Sequence, residues 1–271
     1  MLDLLRTEWL KIRKYWAFWG VMALVTLSYP GINYLFYYEY MELTKKGSAT
    51  GDMARMLLGN PFVFPETFHT TAFFSSIFVF IPAIVIIMLV TNEYTYKTNR
   101  QNIIDGWSRN QFLAGKFLDV LLISVLVTLI YTVVALSIGF LASKPENRDI
   151  WSKAHYIGLF ALQTFSQLSV AFLVGFLVRK SFIALSVFMF YYLIPENILV
   201  NYLKVKSHDQ GRFLPLEISD RMIPIPAFMG KFNEKTYKAA LEAVGPHIGY
   251  TLLATVLVWG LCYWVNRKRD L

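Results

Sequence analysis

The side chains best suited to gripping another molecule lie together in one polar stretch, Asn92–Lys116, wedged between two long apolar runs. It carries four Lys/Arg (Lys97, Arg100, Arg109, Lys116) and two acids (Glu93, Asp105). Ile103, Ile104 and Trp107 form a compact apolar knob of the kind that fills a pocket, and Trp and Arg are favoured interface anchors. Arg100 and Arg109 can meet acids on a partner or lipid headgroups. Glu93 can pair with Arg109, Lys97 or the N-terminal helix, or simply cap the membrane edge. Twenty-five residues exceed what a reversal of direction needs. The chemistry here is recognition, and the stretch reads as a handle presented to the cytoplasm.

Bond-making chemistry is not visible elsewhere. A phosphate-binding P-loop is absent: Ala114-Gly115-Lys116-Phe117 lacks both the upstream glycine and the Ser/Thr that would reach magnesium. His69, His155, His208 and His247 match no metal spacing, and Met41, Met53 and Met56 cluster too loosely for copper. There is no Gly-x-Ser-x-Gly elbow and no carboxylate pair within a span. Cys262, the single cysteine, excludes an intrachain disulfide and suits an apolar core position. The expectation is a chain that is no enzyme, has no catalytic residue, and binds no metal or cofactor itself.

The elements that must position the handle follow from composition. Of 271 residues, 56% are hydrophobic, 17% aromatic and only 16% charged, with mean hydropathy +0.45. Apolar runs able to cross about 30 Å of hydrocarbon recur throughout. Spanning helices satisfy their own backbone in lipid, and no run alternates as a barrel strand would. The fold class is therefore an all-α membrane protein, one domain of six spans at about 16–38, 71–91, 117–142, 154–178, 181–203 and 247–265. Residues 1–15 precede them as an amphipathic interfacial helix. Leu2, Leu5, Trp9, Ile12 and Trp16 recur at three-to-four spacing, with Asp3, Arg6, Glu8, Lys11, Arg13 and Lys14 on the other faces. Charges at positions 3–14 and the absence of a small-residue cleavage site argue against a removable signal.

With these spans, the segments 1–15, 92–116, 179–180 and 266–271 hold 13 Lys/Arg in 48 residues, and the opposite segments 13 in 86. The denser set is expected inside, which puts both termini in the cytoplasm of a multi-pass cell-membrane protein. The net charge of +8 then reflects contact with inner-leaflet lipid, and no basic run has the aromatic interleaving of a nucleic-acid site.

Inside the spans, Gln163, Ser166 and Gln167 share a stripe with Val170, and Ser124, Thr128, Tyr131 and Thr132 share another. Such stripes face protein or a water-filled path, so they are either helix–helix glue or part of a substrate route. Glu196, in Pro195-Glu196-Asn197, interrupts the fifth span; it is a candidate for the same route or a residue of the outer headgroup zone. Pro30-Gly31 predicts a kink or break in the first span, and only Arg179-Lys180 joins spans four and five. The outer segment 204–246 holds two stretches, Leu214–Ile218 and Met222–Phe228, fit for re-entrant or interfacial pieces.

Residues 92–116 resemble the cytoplasmic loop of ABC type-2 exporter permeases, especially the branch of lantibiotic-immunity and bacitracin-resistance permeases. That pattern runs from an acid at the end of span two through a Thr, an Asn- or Arg-containing stretch and a Gly-x-Ser-Arg-like turn to a Lys opening span three. Here it reads Glu93, Thr98, Arg100 with Asn102, Gly106-Trp107-Ser108-Arg109, and Lys116. Lys97 stands where the family has a Gly, and the Pro that many relatives carry near the Ser-Arg is absent. The plan of an interfacial helix, six spans, a short link between spans four and five, and a long outer segment is similar too. The resemblance implies a homo- or heterodimer of permease chains, each docked on a cytoplasmic ATPase that holds ATP and Mg and drives export of a hydrophobic or amphipathic substrate. It makes the loop's short helix a coupling helix, with Glu93, Thr98, Arg100, Ile103, Ile104, Trp107, Ser108 and Arg109 as the ATPase-coupling set. A non-transporting membrane partner of an ATPase, a sensor or assembly component, is the alternative. A secondary transporter would need midplane ionisable groups and an inverted repeat, and neither is visible.

Overall fold

The structure is a computed structural model describing residues 2–45, 49–104, 106–144, 149–206 and 209–268. Lys46, Gly47, Asp105, His208 and positions 269–271, with the side chains of Leu2, Asp3 and Leu5, lie outside the described residues. Helix is the only regular structure among those described. In order these are α1 (Leu2–Lys14), α2 (Trp16–Leu43), α3 (Ala49–Leu58), α4 (Glu66–Ser76), α5 (Phe80–Thr95), α6 (Thr98–Ile104), α7 (Arg109–Ala142), α8 (His155–Val178), α9 (Ser181–Leu193), α10 (Pro195–Lys206), α11 (Glu217–Asp220), α12 (Ala227–Gly230) and α13 (Glu234–Lys268).

Four of these units are long and apolar enough to cross a membrane: α7, α8, α9 continued by α10, and α13. A fifth arises if α4 and α5, bent by 50° at Ile77–Val79, count as one broken span. Pro82 accounts for that break, since a proline cannot bond the carbonyl four residues back and its ring crowds it. The predicted run 71–91 is thus two half-helices. Helix α2 covers the predicted 16–38, but five tyrosines, Asn33 and two glutamates leave it less apolar than the others. It stays helical through Pro30, where a kink or break was expected, so the chain is not broken there. Helix α13 begins at Glu234 and runs through Pro246, well before the predicted start at 247. At Ile194, the residue before Pro195, α9 gives way to α10, but Ile194 keeps an αR backbone and Ile198 N–H still bonds its carbonyl (3.1 Å), so the two helices run on as one unit.

Helix α8 is the centre of the bundle and packs on α4, α5, α7, α9 and α13. Lipid gives apolar helices little reason to prefer each other, so close approach and hydrogen bonds must decide the packing. Gly175 supplies the approach: a Cβ there would sit 2.5 Å from Val90 Cγ1 on α5. The bonds are few and specific. Asn33 Nδ2 donates to Ser75 Oγ (3.0 Å), Tyr131 Oη to the Phe68 carbonyl (2.9 Å) and Trp259 Nε1 to Ser169 Oγ (3.0 Å).

The segment after α10 folds back onto the bundle. Leu216, Ile218, Met222 and Ile223 are buried, Met222 and Ile223 within the main core. His69 Nε2 meets the Pro224 carbonyl (2.8 Å), and Thr251 Oγ1 donates to Ile218 O (3.1 Å). Both stretches singled out in 204–246 therefore insert as a cap on one end of the helices.

Candidate functional site

At the opposite end, the polar stretch divides into three parts. Helix α5 continues through Glu93 to Thr95, Lys97 adopts a left-handed φ of 57°, and α6 follows as a seven-residue helix. Gly106, at φ 96°, makes the next reversal, a conformation that L side chains rarely adopt. Ser108 then opens α7 with a reciprocal cap: Gln111 N–H donates to Ser108 Oγ (3.2 Å) and Ser108 N–H to Gln111 Oε1 (2.7 Å). A loop expected to end at Lys116 therefore ends at Ser108, because the capping box starts the helix two turns early. Lys116 lies inside α7 and is buried.

That burial creates the most concentrated electrostatics of the molecule. Lys116 Nζ lies 2.5 Å from Glu8 Oε2, 2.8 Å from Glu93 Oε1 and 2.9 Å from Asp119 Oδ2. Lys11 Nζ adds contacts to Glu8 (2.9 Å) and Glu93 (3.1 Å). Three acids and two lysines from α1, α5 and α7, the last two flanking α6 in sequence, thus form one node. Gly115 makes room for it, since a Cβ at that position would stand 3.3 Å from Glu8 Oε1. Buried charges of this kind persist only when paired and hydrogen-bonded. Burial alone would raise the Glu8 carboxyl, but the ammonium groups of Lys116 and Lys11 outweigh it and hold it at about 2.

The predicted coupling residues sort themselves around this node. Glu93 takes the N-terminal helix, among its three possible partners, together with Lys116; its buried Oε2 has no hydrogen-bond partner among the described residues. Thr98 Oγ1 donates to the Glu93 carbonyl (3.5 Å) and Ser108 is the cap. Arg109 is turned away, with Nη1 donating to Arg267 O (3.4 Å) and its own carbonyl accepting from Asn266 Nδ2 (2.9 Å). Of the expected apolar knob, Ile104 is 76% exposed, whereas Ile103 and Trp107 are half-buried and Lys11 Nζ sits 5.3 Å from the Trp107 ring centre. Arg100 is exposed. Glu8, Lys116 and Asp119 were missed as a unit; the only local signals are the i,i+3 pairs Glu8–Lys11 and Lys116–Asp119.

The six residues considered for a substrate path divide between contacts within and between α7 and α8 and contacts to the cap. Ser124 and Thr128 are buried and bond backbone, at Ala161 O (3.4 Å) and Ser124 O (2.8 Å). Gln163 and Gln167 each donate to Asp220 Oδ1 of the cap at 2.6 Å, and Ser166 is buried beside them on α8. Burial pushes the Asp220 carboxyl up to about 7, against the pull of the two amides. Glu196 accepts the backbone N–H groups of Leu216 (2.8 Å) and Glu217 (2.9 Å), so it anchors the first turn of α11. Among the described residues no group of His, Cys, Asp and Glu is arranged to hold a metal ion.

The architecture is that of an all-helical protein with several membrane-length apolar helices, capped at one end and carrying a short helix and a buried charge node at the other. Over residues 59–271 the chain matches the family described as protein of unknown function DUF2705, and it belongs to that family. No curated protein matches it.

Proposed function

We propose that this chain is the transmembrane permease subunit of an ABC exporter, moving a hydrophobic or amphipathic substrate with ATP hydrolysed on a separate cytoplasmic subunit. The observation that carries the reading is the coupling geometry. Helix α6 projects at the end of the bundle, and the strands of chain on either side of it are locked by the node Glu8–Lys11–Glu93–Lys116–Asp119 into α1, α5 and α7. A push on α6 is therefore transmitted to three helices as one body, which switching between discrete packed states requires.

In this reading Ile104 faces the ATPase, Arg100 faces the adjoining lipid headgroups, Ile103, Trp107 and Thr98 stiffen α6, and Glu93, Ser108 and Arg109 tie it to the bundle. Helix α2, 28 residues and about 42 Å long, is the sixth span; Leu24, Leu27 and Leu35 give it an exposed apolar face. Helix α1 lies along the inner interface, both termini are cytoplasmic in the cell membrane, and two permease chains, identical or paralogous, pair in the bilayer. Gln163, Ser166, Gln167, Ser124, Thr128 and Glu196 act by holding α7, α8 and the cap, and a route would pass where the cap meets α8. The chain itself is no enzyme and holds no cofactor; ATP and Mg belong to the partner.

The test is purification of the full chain in mild detergent with identification of bound proteins, followed by reconstitution. A stoichiometric P-loop ATPase whose hydrolysis rises with a transported substrate is expected. A bound ATPase indifferent to every substrate would replace the exporter by the non-transporting partner, and a preparation without an ATPase would end the reading.

A further inference from the structure

A second feature at the α6 end belongs to neither the charge node nor the exposed Ile104. Between the α5–α6 turn and the α8–α9 turn lies a concavity of about 470 Å³. Four of its lining residues are cations, Lys97, Arg100, Arg179 and Lys180, and none is an acid. None of the four forms an ion pair among the described residues, although every pair of the node is satisfied by lysine.

The walls are built rather than incidental. Both turns are pinned by left-handed residues, Lys97 at φ 57° and Arg179 at φ 60°, and Arg179 N–H closes α8 on Gly175 O (2.9 Å). Thr91 Oγ1 and Ser181 Oγ, 2.6 Å apart, tie the end of α5 to the start of α9. The Arg179 guanidinium lies 4.7 Å from the Tyr94 ring centre, and its buried Nε finds no acceptor among the described residues. Convergent like charges repel unless an anion joins them, and a planar Arg fork matches phosphate oxygens.

We propose that this concavity binds a phosphate group, carried by an anionic phospholipid of the adjoining leaflet. The apolar surface beside it argues for the lipid: Phe182, 83% exposed, and Ile183 follow Ser181 in the first turn of α9, and acyl chains can run along that face. Basic pockets where helices leave the hydrocarbon take anionic headgroups in the same way. The proposal needs only that the bundle sits in a bilayer, and does not depend on the exporter reading.

The experiment is calorimetric titration of the detergent-solubilised full chain with dihexanoyl-phosphatidylglycerol, dihexanoyl-phosphatidylcholine and inorganic phosphate in separate arms. Phosphatidylglycerol is expected to bind saturably and phosphatidylcholine not. Arg100 and Lys180 are exposed and outside the packing, so Arg100→Gln/Lys180→Gln should fold. Losing two cations should weaken phosphatidylglycerol roughly thirtyfold, about 2 kcal/mol at 1.4 kcal/mol per tenfold. Lys204→Gln/Lys206→Gln, which removes the same charge at the other end of the bundle, should leave the affinity within about twofold. Arg179→Lys keeps the charge but loses the fork, and should also weaken binding. Inorganic phosphate binding as well as the lipid, and lost in the same variants, would keep the phosphate site but make its source soluble. Equal binding of the two lipids, or wild-type affinity in Arg100→Gln/Lys180→Gln, would overturn the proposal.

Discussion

Replacing Lys116 by methionine isolates the energetic role of the node. The side chain is 4% exposed and faces three carboxylates, at 2.5, 2.8 and 2.9 Å. Methionine fills much the same volume, so the change removes a charge without opening a large cavity. Three carboxylates are then left with Lys11 alone, which reaches only Glu8 and Glu93 and is 30% exposed. Removing one partner of a buried ion pair costs about 3–5 kcal/mol, chiefly because the remaining charge stays desolvated and unpaired. At roughly 2–4 °C per kcal/mol for a chain of this size class, the melting temperature should fall by about 6–20 °C. The assay is thermal unfolding of the detergent-solubilised protein, with Lys11→Met beside it. Lys11 is partly solvated, so its loss should cost about 1 kcal/mol and shift melting by only a few degrees. Adding Glu8→Gln and Asp119→Asn to Lys116→Met should restore much of the difference, since neutral amides no longer demand a counter-charge. A Lys116→Met melting point within about 2 °C of wild type, or equal to that of Lys11→Met, would refute the argument that this node locks α1, α5 and α7.

Other outcomes follow from the same geometry. Ile104→Asp changes a 76% exposed side chain, so stability should stay within about 0.5 kcal/mol while co-purification of the ATPase is lost; retained binding would remove α6 from its role. Glu196→Ala strips the Leu216 and Glu217 N–H groups of their acceptor, costing about 1–3 kcal/mol, and should show as faster amide exchange confined to the cap. Glu8 is held at about 2, below its usual 4.5, so its stabilisation is full above pH 4.5 and is lost as pH falls toward 2. Glu8→Gln should flatten that acid limb, which a pH series of melting temperatures would show. Asp220 has the opposite sign: its carboxyl is raised from 3.8 to about 7, so the protein loses stability as pH rises across that interval, and Asp220→Asn should abolish this slope.

Hydropathy and spacing were enough to establish long apolar helices, the interruption at Pro195 and a helix before Trp16, because lipid demands uninterrupted apolar runs and internally bonded backbone. A short helix and a glycine turn within 92–116 were expected only from the family resemblance, and their bounds, Thr98–Ile104 and Gly106, came from the structure. Where the spans end was less visible. The Ser108–Gln111 box carries α7 out past the apolar run, and Pro82 splits another run in two, so composition and helix boundaries part company. Tertiary structure alone decided which charges meet. Glu8 reads as surface on an amphipathic helix, Lys116 as the lysine that opens a span and Glu93 as a residue with several partners. Only the packing of α1 against α7 brings residues 108 positions apart within 2.5 Å. The same holds for Gln163, Gln167 and Glu196, whose partners lie in a cap that no periodicity announces. The physical reason is range: backbone bonding and burial in lipid act on neighbours in sequence, whereas an ion pair or an amide–carboxylate bond depends on separations of a few ångströms that only the folded bundle sets.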